Sequence, residues 1–245
     1  MKRLIVLCIL ISAGTVFGQY PSGEQILNKI DENMSSKNRI LLSKMVIYGR
    51  WGSRTIESRS WIQGAEKSFT EYLSPAREKG TKMLKLGDQL WMYSPSTDRI
   101  IQISGHMLRE SVMGSDLSYE DMMEDPKLTN NYKAEVTGTE IIDERQCWVV
   151  ELSAKKDNLA YHSRKMWIDR ERNIPLKEEL YAKSGKLLKK TELKDIKQIQ
   201  GRWFPKRILF KDMLKSGDGT EFIIETIQFD QDISEYIFSK AALRK

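Results

Sequence analysis

Two histidines, His106 and His162, are the side chains of this sequence best suited to proton transfer near neutral pH, and they stand far apart with no nucleophile motif around either. Neither Gly-x-Ser-x-Gly nor a phosphate-cradling glycine loop is present. An exported hydrolase would need folding to bring one of these histidines beside a nucleophile, so the residues favour a non-enzyme. The group Asp116, Glu120, Asp121, Glu124 and Asp125 has the charge for a cation but lacks the alternating oxygens and central glycine of a calcium loop. Helix capping and dipole compensation account for Asp116 and Asp121. His106, Met107, Met113, Met122 and Met123 offer imidazole and thioether ligands that could take copper(I). Their spacing is irregular, and methionine also adapts its shape to variable apolar ligands, so packing or lipid contact is the better reading. Cys147, between Gln146 and Trp148 in a strand-like run, is expected to be buried and inert.

The densest chemical signal is apolar. Met45, Trp51, Trp61, Phe69, Met83, Trp91, Met92 and Tyr93 cluster in the first half of the chain. An ordinary sheet core would use such residues, but a large sheet must also cover its concave face, and few helices are available to do so. An incompletely filled apolar pocket follows. From strand alternation its lining is expected to be Met45, Ile47, Trp51, Trp61, Phe69, Leu84, Leu86, Trp91 and Tyr93, with Met113, Leu117, Tyr119, Met122 and Met123 forming a lid.

The elements that must position these residues are legible in the periodicity. Ser22 precedes Ile26, Leu27, Ile30 and Met34 at helical spacing, one amphipathic helix. From Ile40 the period becomes two, with Leu41, Ser43, Met45, Ile47, Gly49 and Trp51 on one face. A dozen further strands follow: Thr55–Gln63, Lys67–Leu73, Thr81–Leu86, Gln89–Tyr93, Arg99–Ile103, Tyr132–Ile142, Gln146–Ala154, Arg164–Asp169, Pro175–Ala182, Leu187–Gln198, Trp203–Phe210 and Glu221–Phe229. Gly64-Ala65, Gly87-Asp88, Ser184-Gly185 and Gly217-Asp218-Gly219 supply hairpin turns, so sequence neighbours should pair as an antiparallel meander. Between Ser104 and Asn131 the alternation stops. Ser118 with Asp121 three residues on reads as a capping box, Pro126 as a stop, and the segment as an insertion of short helices. A last helical piece is expected after Ser234.

Length, charge and leader bound the function. Lys2-Arg3, an apolar run from Leu4 to Phe17 and Gly18 before Gln19 form an export signal, too short for an ordinary membrane span, with cleavage expected before Gln19. Cys8 follows Leu7, where lipid attachment would want a small residue, so the product should be unlipidated and soluble. Residues 19–245 are then one domain, without a possible internal disulfide since Cys147 is the one cysteine left. The formal charge of +6 for the whole chain is interleaved with acids, as in Asp169-Arg170-Glu171-Arg172, which disfavours nucleic acid and permits only loose attraction to anionic membranes.

Four segments carry a family resemblance: Arg77-Glu78-Lys79-Gly80 with Lys82-Met83-Leu84; Leu90-Trp91-Met92-Tyr93-Ser94-Pro95; Met113-Gly114-Ser115-Asp116-Leu117-Ser118-Tyr119-Glu120-Asp121-Met122; and Tyr181 through Lys189. Together they resemble the outer-membrane lipoprotein-sorting family, the LolA/LolB-like proteins, over nearly all of residues 19–245. The resemblance implies a mainly β fold, an unclosed antiparallel β-barrel (half-barrel) with an N-terminal helix and short lid helices over a hydrophobic cavity. It implies no enzyme activity, metal or cofactor. It also implies a periplasmic monomer that binds acyl chains of a lipoprotein or lipid, receives them from an inner-membrane transporter and passes them to an outer-membrane acceptor. Burial of an acyl chain is worth about 0.8 kcal/mol per CH₂, on the order of 10 kcal/mol for a long chain, so such cargo requires an apolar site and an energised donor. The alternative is an accessory module that senses lipid or lipoprotein and binds a membrane protein without ferrying cargo.

Overall fold

The computed structural model describes residues 20–245; the expected export segment, with Cys8 and the cleavage before Gln19, lies outside them. Helix α1 (Gly23–Met34) starts on a capping box in which Ser22 Oγ accepts from the Gln25 amide at 3.2 Å and Gln25 Oε1 accepts from the Ser22 amide at 3.3 Å. Ile26, Leu27 and Ile30 are buried, as the helical spacing predicts. Gly23 fits because a Cβ there would lie 2.1 Å from the Ala134 carbonyl oxygen.

Six strands form the first half: β1 (Asn38–Gly49), β2 (Gly52–Gln63), β3 (Lys67–Ser74), β4 (Lys82–Leu86), β5 (Gln89–Ser94) and β6 (Arg99–Ile103). An insertion with short helices α2 (Tyr119–Met123) and α3 (Leu128–Asn131) follows. Seven more strands complete the sheet: β7 (Tyr132–Ile142), β8 (Arg145–Ala154), β9 (Ser163–Asp169), β10 (Ile174–Tyr181), β11 (Leu187–Ile199), β12 (Arg202–Asp212) and β13 (Gly219–Phe229). All thirteen lie in one antiparallel sheet, ordered β6-β5-β4-β3-β2-β1-β13-β12-β11-β10-β9-β8-β7. The meander holds within each half. Its centre, however, joins the first strand to the last, Met45 opposite Phe222 and Tyr48 opposite Gly219, while β6 and β7 end the sheet as unpaired edges. The barrel is open.

Because successive strands run oppositely, their turns alternate between two rims. Turns 50–51, 75–81, 95–98, 155–162, 182–186 and 213–218 share one, here the upper rim; turns 64–66, 87–88, 143–144, 170–173 and 200–201 share the other. The inner face is covered twice. Helix α1 packs on Val150, Leu152, Met166 and Ile168, and the insertion packs on Met45, Ile47, Ile56, Tyr72, Met83 and Leu90. The segment after Ser234 forms two 3₁₀ turns, Glu235–Phe238 and Lys240–Arg244, and these cover the outer face at Phe69, Leu84 and Trp91. They are thus not part of the inner cover.

Candidate functional site

The insertion is held over the inner face by polar bonds at defined points. Ser118 caps α2, accepting from the Asp121 amide at 3.2 Å while its own amide donates to Asp121 Oδ2 at 2.7 Å, which is the capping box the spacing predicts. The same carboxylate then pairs with Lys189 of β11 and accepts from the Tyr161 hydroxyl. Glu124, just past α2, pairs with Arg164 of β9. Asp116 accepts from the Thr220 hydroxyl at 2.8 Å and from the Asp212 amide at 2.9 Å, and Lys85 donates to the Met123 carbonyl at 3.3 Å. Asp31 of α1 accepts from the Leu128 and Thr129 amides at 3.0 and 3.2 Å, tying the two covers together. Three of the acidic residues that suggested a cation are therefore satisfied by the protein's own donors. Among the described residues no group of three His, Cys, Asp or Glu side chains is placed to hold a metal ion.

Beneath the insertion lies an apolar layer. Met45, Ile47, Ile56, Tyr72, Met83, Leu90 and Ile103 are buried against Val112 and Tyr119, and around them Met92, Met107, Leu108, Met113, Leu117, Met122, Met123 and Phe222 are half-buried. All five expected lid residues, Met113, Leu117, Tyr119, Met122 and Met123, pack here. So do Met45 and Ile47 from the expected lining.

The remaining expected lining residues lie elsewhere. Trp51 caps the β1–β2 turn and is 90% exposed. Trp61, Phe69, Leu84, Leu86, Trp91 and Tyr93 occupy the outer face with the C-terminal turns. The reason is that β4 and β5 are apolar on both faces, so alternation alone does not say which parity points inward. Leu84 pairs with Trp91 and Met83 with Met92, and it is Met83 and Met92 that meet the insertion. Ile56, Tyr72, Leu90 and Ile103 join them.

Toward β9–β11 the inner face turns ionic, which the sequence reading missed. Arg164 is buried, its guanidinium 4.7 Å from the Tyr132 ring centre and 5.4 Å from that of Tyr161, and 3.8 Å from the Glu178 carboxylate. The alternation Arg164, Met166, Ile168 carried the signal, since it places the arginine on an apolar parity. Burial opposes ionisation of Asp121, but Lys189, the Tyr161 hydroxyl and the Ser118 amide outweigh it and hold the carboxyl below the usual aspartate range. Burial pushes Glu178 up, against the attraction of Arg164. Tyr161 is also pushed up, by burial and by Asp121. Cys147 is buried as expected, and burial lifts its thiol to about 11, so it stays protonated at neutral pH.

Two surface hollows, of about 610 and 680 Å³, lie along β7–β10 at Glu151 and Lys165 and beside the start of α1 at Trp148; the insertion borders neither. Across the apolar layer side chains of the protein itself meet, Val112 and Tyr119 packing in one cluster with Met45, Met83 and Leu90. The arrangement resembles a closed clasp, apolar in the middle and fastened by ion pairs on one side.

A family model described as an uncharacterized protein matches residues 64–245. No curated protein matches the chain. Among solved structures, a Vibrio parahaemolyticus domain assigned to outer membrane lipoprotein sorting is similar at a TM-score of 0.80 and 23% identity, over 91% of this chain and 98% of that one. A DUF1329 family protein from Desulfovibrio piger is similar at 0.83 and 23% identity, over 90% and 97%. A LolA superfamily protein from Nitrosomonas europaea is similar at 0.73 and 24% identity, over 91% and 100%. At these identities the likeness is one of fold.

Proposed function

This chain belongs to the family of uncharacterized proteins matched over residues 64–245 and has the open-barrel fold of LolA superfamily proteins; we propose that it is a periplasmic carrier that takes acyl chains of lipoproteins or lipids beneath the 104–131 insertion and passes them toward the outer membrane. The observation that carries this is the layer of half-buried methionines and Phe222 between the insertion and β1–β5, fastened by ion pairs at its far side. Methionine repacks around irregular apolar guests, and both partners of a buried ion pair regain hydration when it opens, which offsets much of the attraction lost. An acyl chain brings on the order of 10 kcal/mol of transfer free energy, enough to offset a latch worth several kcal/mol. In this reading Met45, Ile47, Met83, Leu90 and Met92 form the floor, and Met113, Leu117, Tyr119, Met122 and Met123 the roof.

A fluorescent fatty-acid probe tests the proposal. It should bind saturably, and hydrogen exchange of residues 104–131 should change on loading while β7–β9 stay protected. Replacing Met113, Met122 and Met123 together with leucine keeps volume and apolarity, so probe binding should largely survive. No saturable binding, or tight copper(I) binding lost in that triple variant, would overturn the carrier reading.

A further inference from the structure

We infer that the upper rim is a membrane-docking surface that seats on anionic phospholipid, with Trp51, Met213 and Leu214 entering the headgroup region. The inference goes beyond carriage, because it holds whatever the cargo. It starts from the three side chains. Trp51 is 90%, Leu214 61% and Met213 41% exposed, and they belong to neighbouring turns. The β1–β13 pairing sets the β1–β2 turn beside the 213–218 loop: Tyr48 is opposite Gly219, and the Asp218 amide donates to the Tyr48 carbonyl at 3.3 Å. A Cβ on Gly217 would lie 2.7 Å from that carbonyl and 3.9 Å from Gly49 Cα, so the two turns are in contact. An exposed indole at a tip, with two flexible apolar neighbours, suits the boundary between headgroups and acyl chains.

Charge identifies the partner. The upper-rim turns expose Arg50, Arg77, Lys79, Lys156, Lys183 and Lys186, against Asp98, Asp157 and Asp218. Arg50 also sits over the Trp51 ring at 5.1 Å, placing a cation at the apolar tip. The opposite rim carries net negative charge, exposing Glu66, Asp88, Asp143, Glu144, Glu171, Asp230 and Asp232 against Lys37 and Arg170. This segregation orients the molecule, drawing one rim toward a negative surface and repelling the other. The insertion is anchored at the same rim, where Arg54 donates to the Met113 carbonyl and Lys215 donates to the Ser115 carbonyl at 2.6 Å. Docking there brings the edge of the apolar layer next to the bilayer.

The test is co-sedimentation of the purified protein with vesicles of phosphatidylcholine alone or mixed with phosphatidylglycerol, at low and high salt. The expected result is saturable binding to the anionic vesicles, reduced by high salt and absent on phosphatidylcholine. Trp51→Ser with Leu214→Ser should weaken it by about tenfold or more, and Arg50→Glu with Lys79→Glu should abolish it. Both double variants change exposed turn residues and should bind the soluble fatty-acid probe as the parent does, which separates this inference from the carrier reading. Equal binding to neutral and anionic vesicles, no binding to either, or undiminished binding by both variants would overturn it.

Discussion

Removing the Lys189 ammonium should loosen the insertion before it loosens the sheet. In the folded protein the Asp121 and Lys189 side chains are 13% and 7% exposed, so Lys189→Met leaves a carboxylate largely out of water. Breaking a buried pair in this way costs about 3–5 kcal/mol. Asp121 retains the Tyr161 hydroxyl and the Ser118 amide, which puts the cost near the lower limit, about 3 kcal/mol. If the whole domain bore that cost, Tm would fall by about 6–12 °C. A cheaper escape exists, because lifting α2 returns Asp121 to water, and the global loss is therefore capped by the free energy of undocking. The expected signature is a smaller Tm shift together with faster hydrogen exchange at residues 118–123, while 147–152 in β8 are unchanged. Adding Asp121→Asn removes the orphaned charge and should restore part of the protection. The pH dependence has a definite sign: a carboxyl held below its unfolded value stabilises docking above the ordinary aspartate range and loses that contribution as pH falls through the folded value. Undocking should thus appear in acid below about pH 4, not between 5 and 8. Uniform acceleration of exchange across the sheet, or none at α2, would refute the latch.

Three further outcomes follow from the same geometry. Glu178→Gln should hold or raise Tm at pH 7, because burial disfavours the ionised carboxylate in the folded state; the difference from the parent should shrink as pH falls and vanish below about pH 3.5, under the ordinary glutamate value, where the side chain is largely protonated in both states, and a fall of several degrees at neutral pH would contradict this. Arg164→Lys should cost about 2–3 kcal/mol, read as a lower denaturant midpoint, since an ammonium keeps the charge but not the planar fork or the stacking between Tyr132 and Tyr161. Met45→Asp and Trp91→Asp, on opposite faces, should separate: the first should impair fatty-acid probe binding, whereas the second should release the C-terminal turns and expose the segment after Ser234 to protease, each at a desolvation cost of several kcal/mol.

Most of the strands could be read from the chain because two signals coincide in them, period-two burial and glycine-bearing turns. The limits of β6 and β7 agree with the observed Arg99–Ile103 and Tyr132–Ile142, and the Ser118–Asp121 capping box is present as its spacing predicts. The site was only half legible. Along Leu90, Trp91, Met92 and Tyr93 every residue is apolar or aromatic, so bulk pointed to the tryptophan while the register points the methionine inward. Trp51 continues the alternation of β1 in sequence but falls after the strand ends at Gly49, where the turn releases it to solvent. The ionic half of the inner face depends on partners as distant as Glu124 with Arg164 and Asp121 with Lys189, and no local pattern encodes such meetings.

The pairing of β1 with β13 also governs how this chain can be made. A polypeptide delivered from its N-terminus, whether from a ribosome or through a translocation pore, presents residues 38–49 long before residues 219–229 exist to flank them. Until then the β1–β6 half is a narrow meander with an uncovered hydrogen-bonding edge at β1, the strand that the finished sheet places at its centre, and Phe222, which seals Met45, is still missing. Completing the fold means closing a loop that spans nearly the entire described chain, the slow kind of step in β proteins. The central seam of the sheet therefore cannot form until residues 219–229 have been delivered, a delay that a circular permutant opened between β6 and β7 would lose.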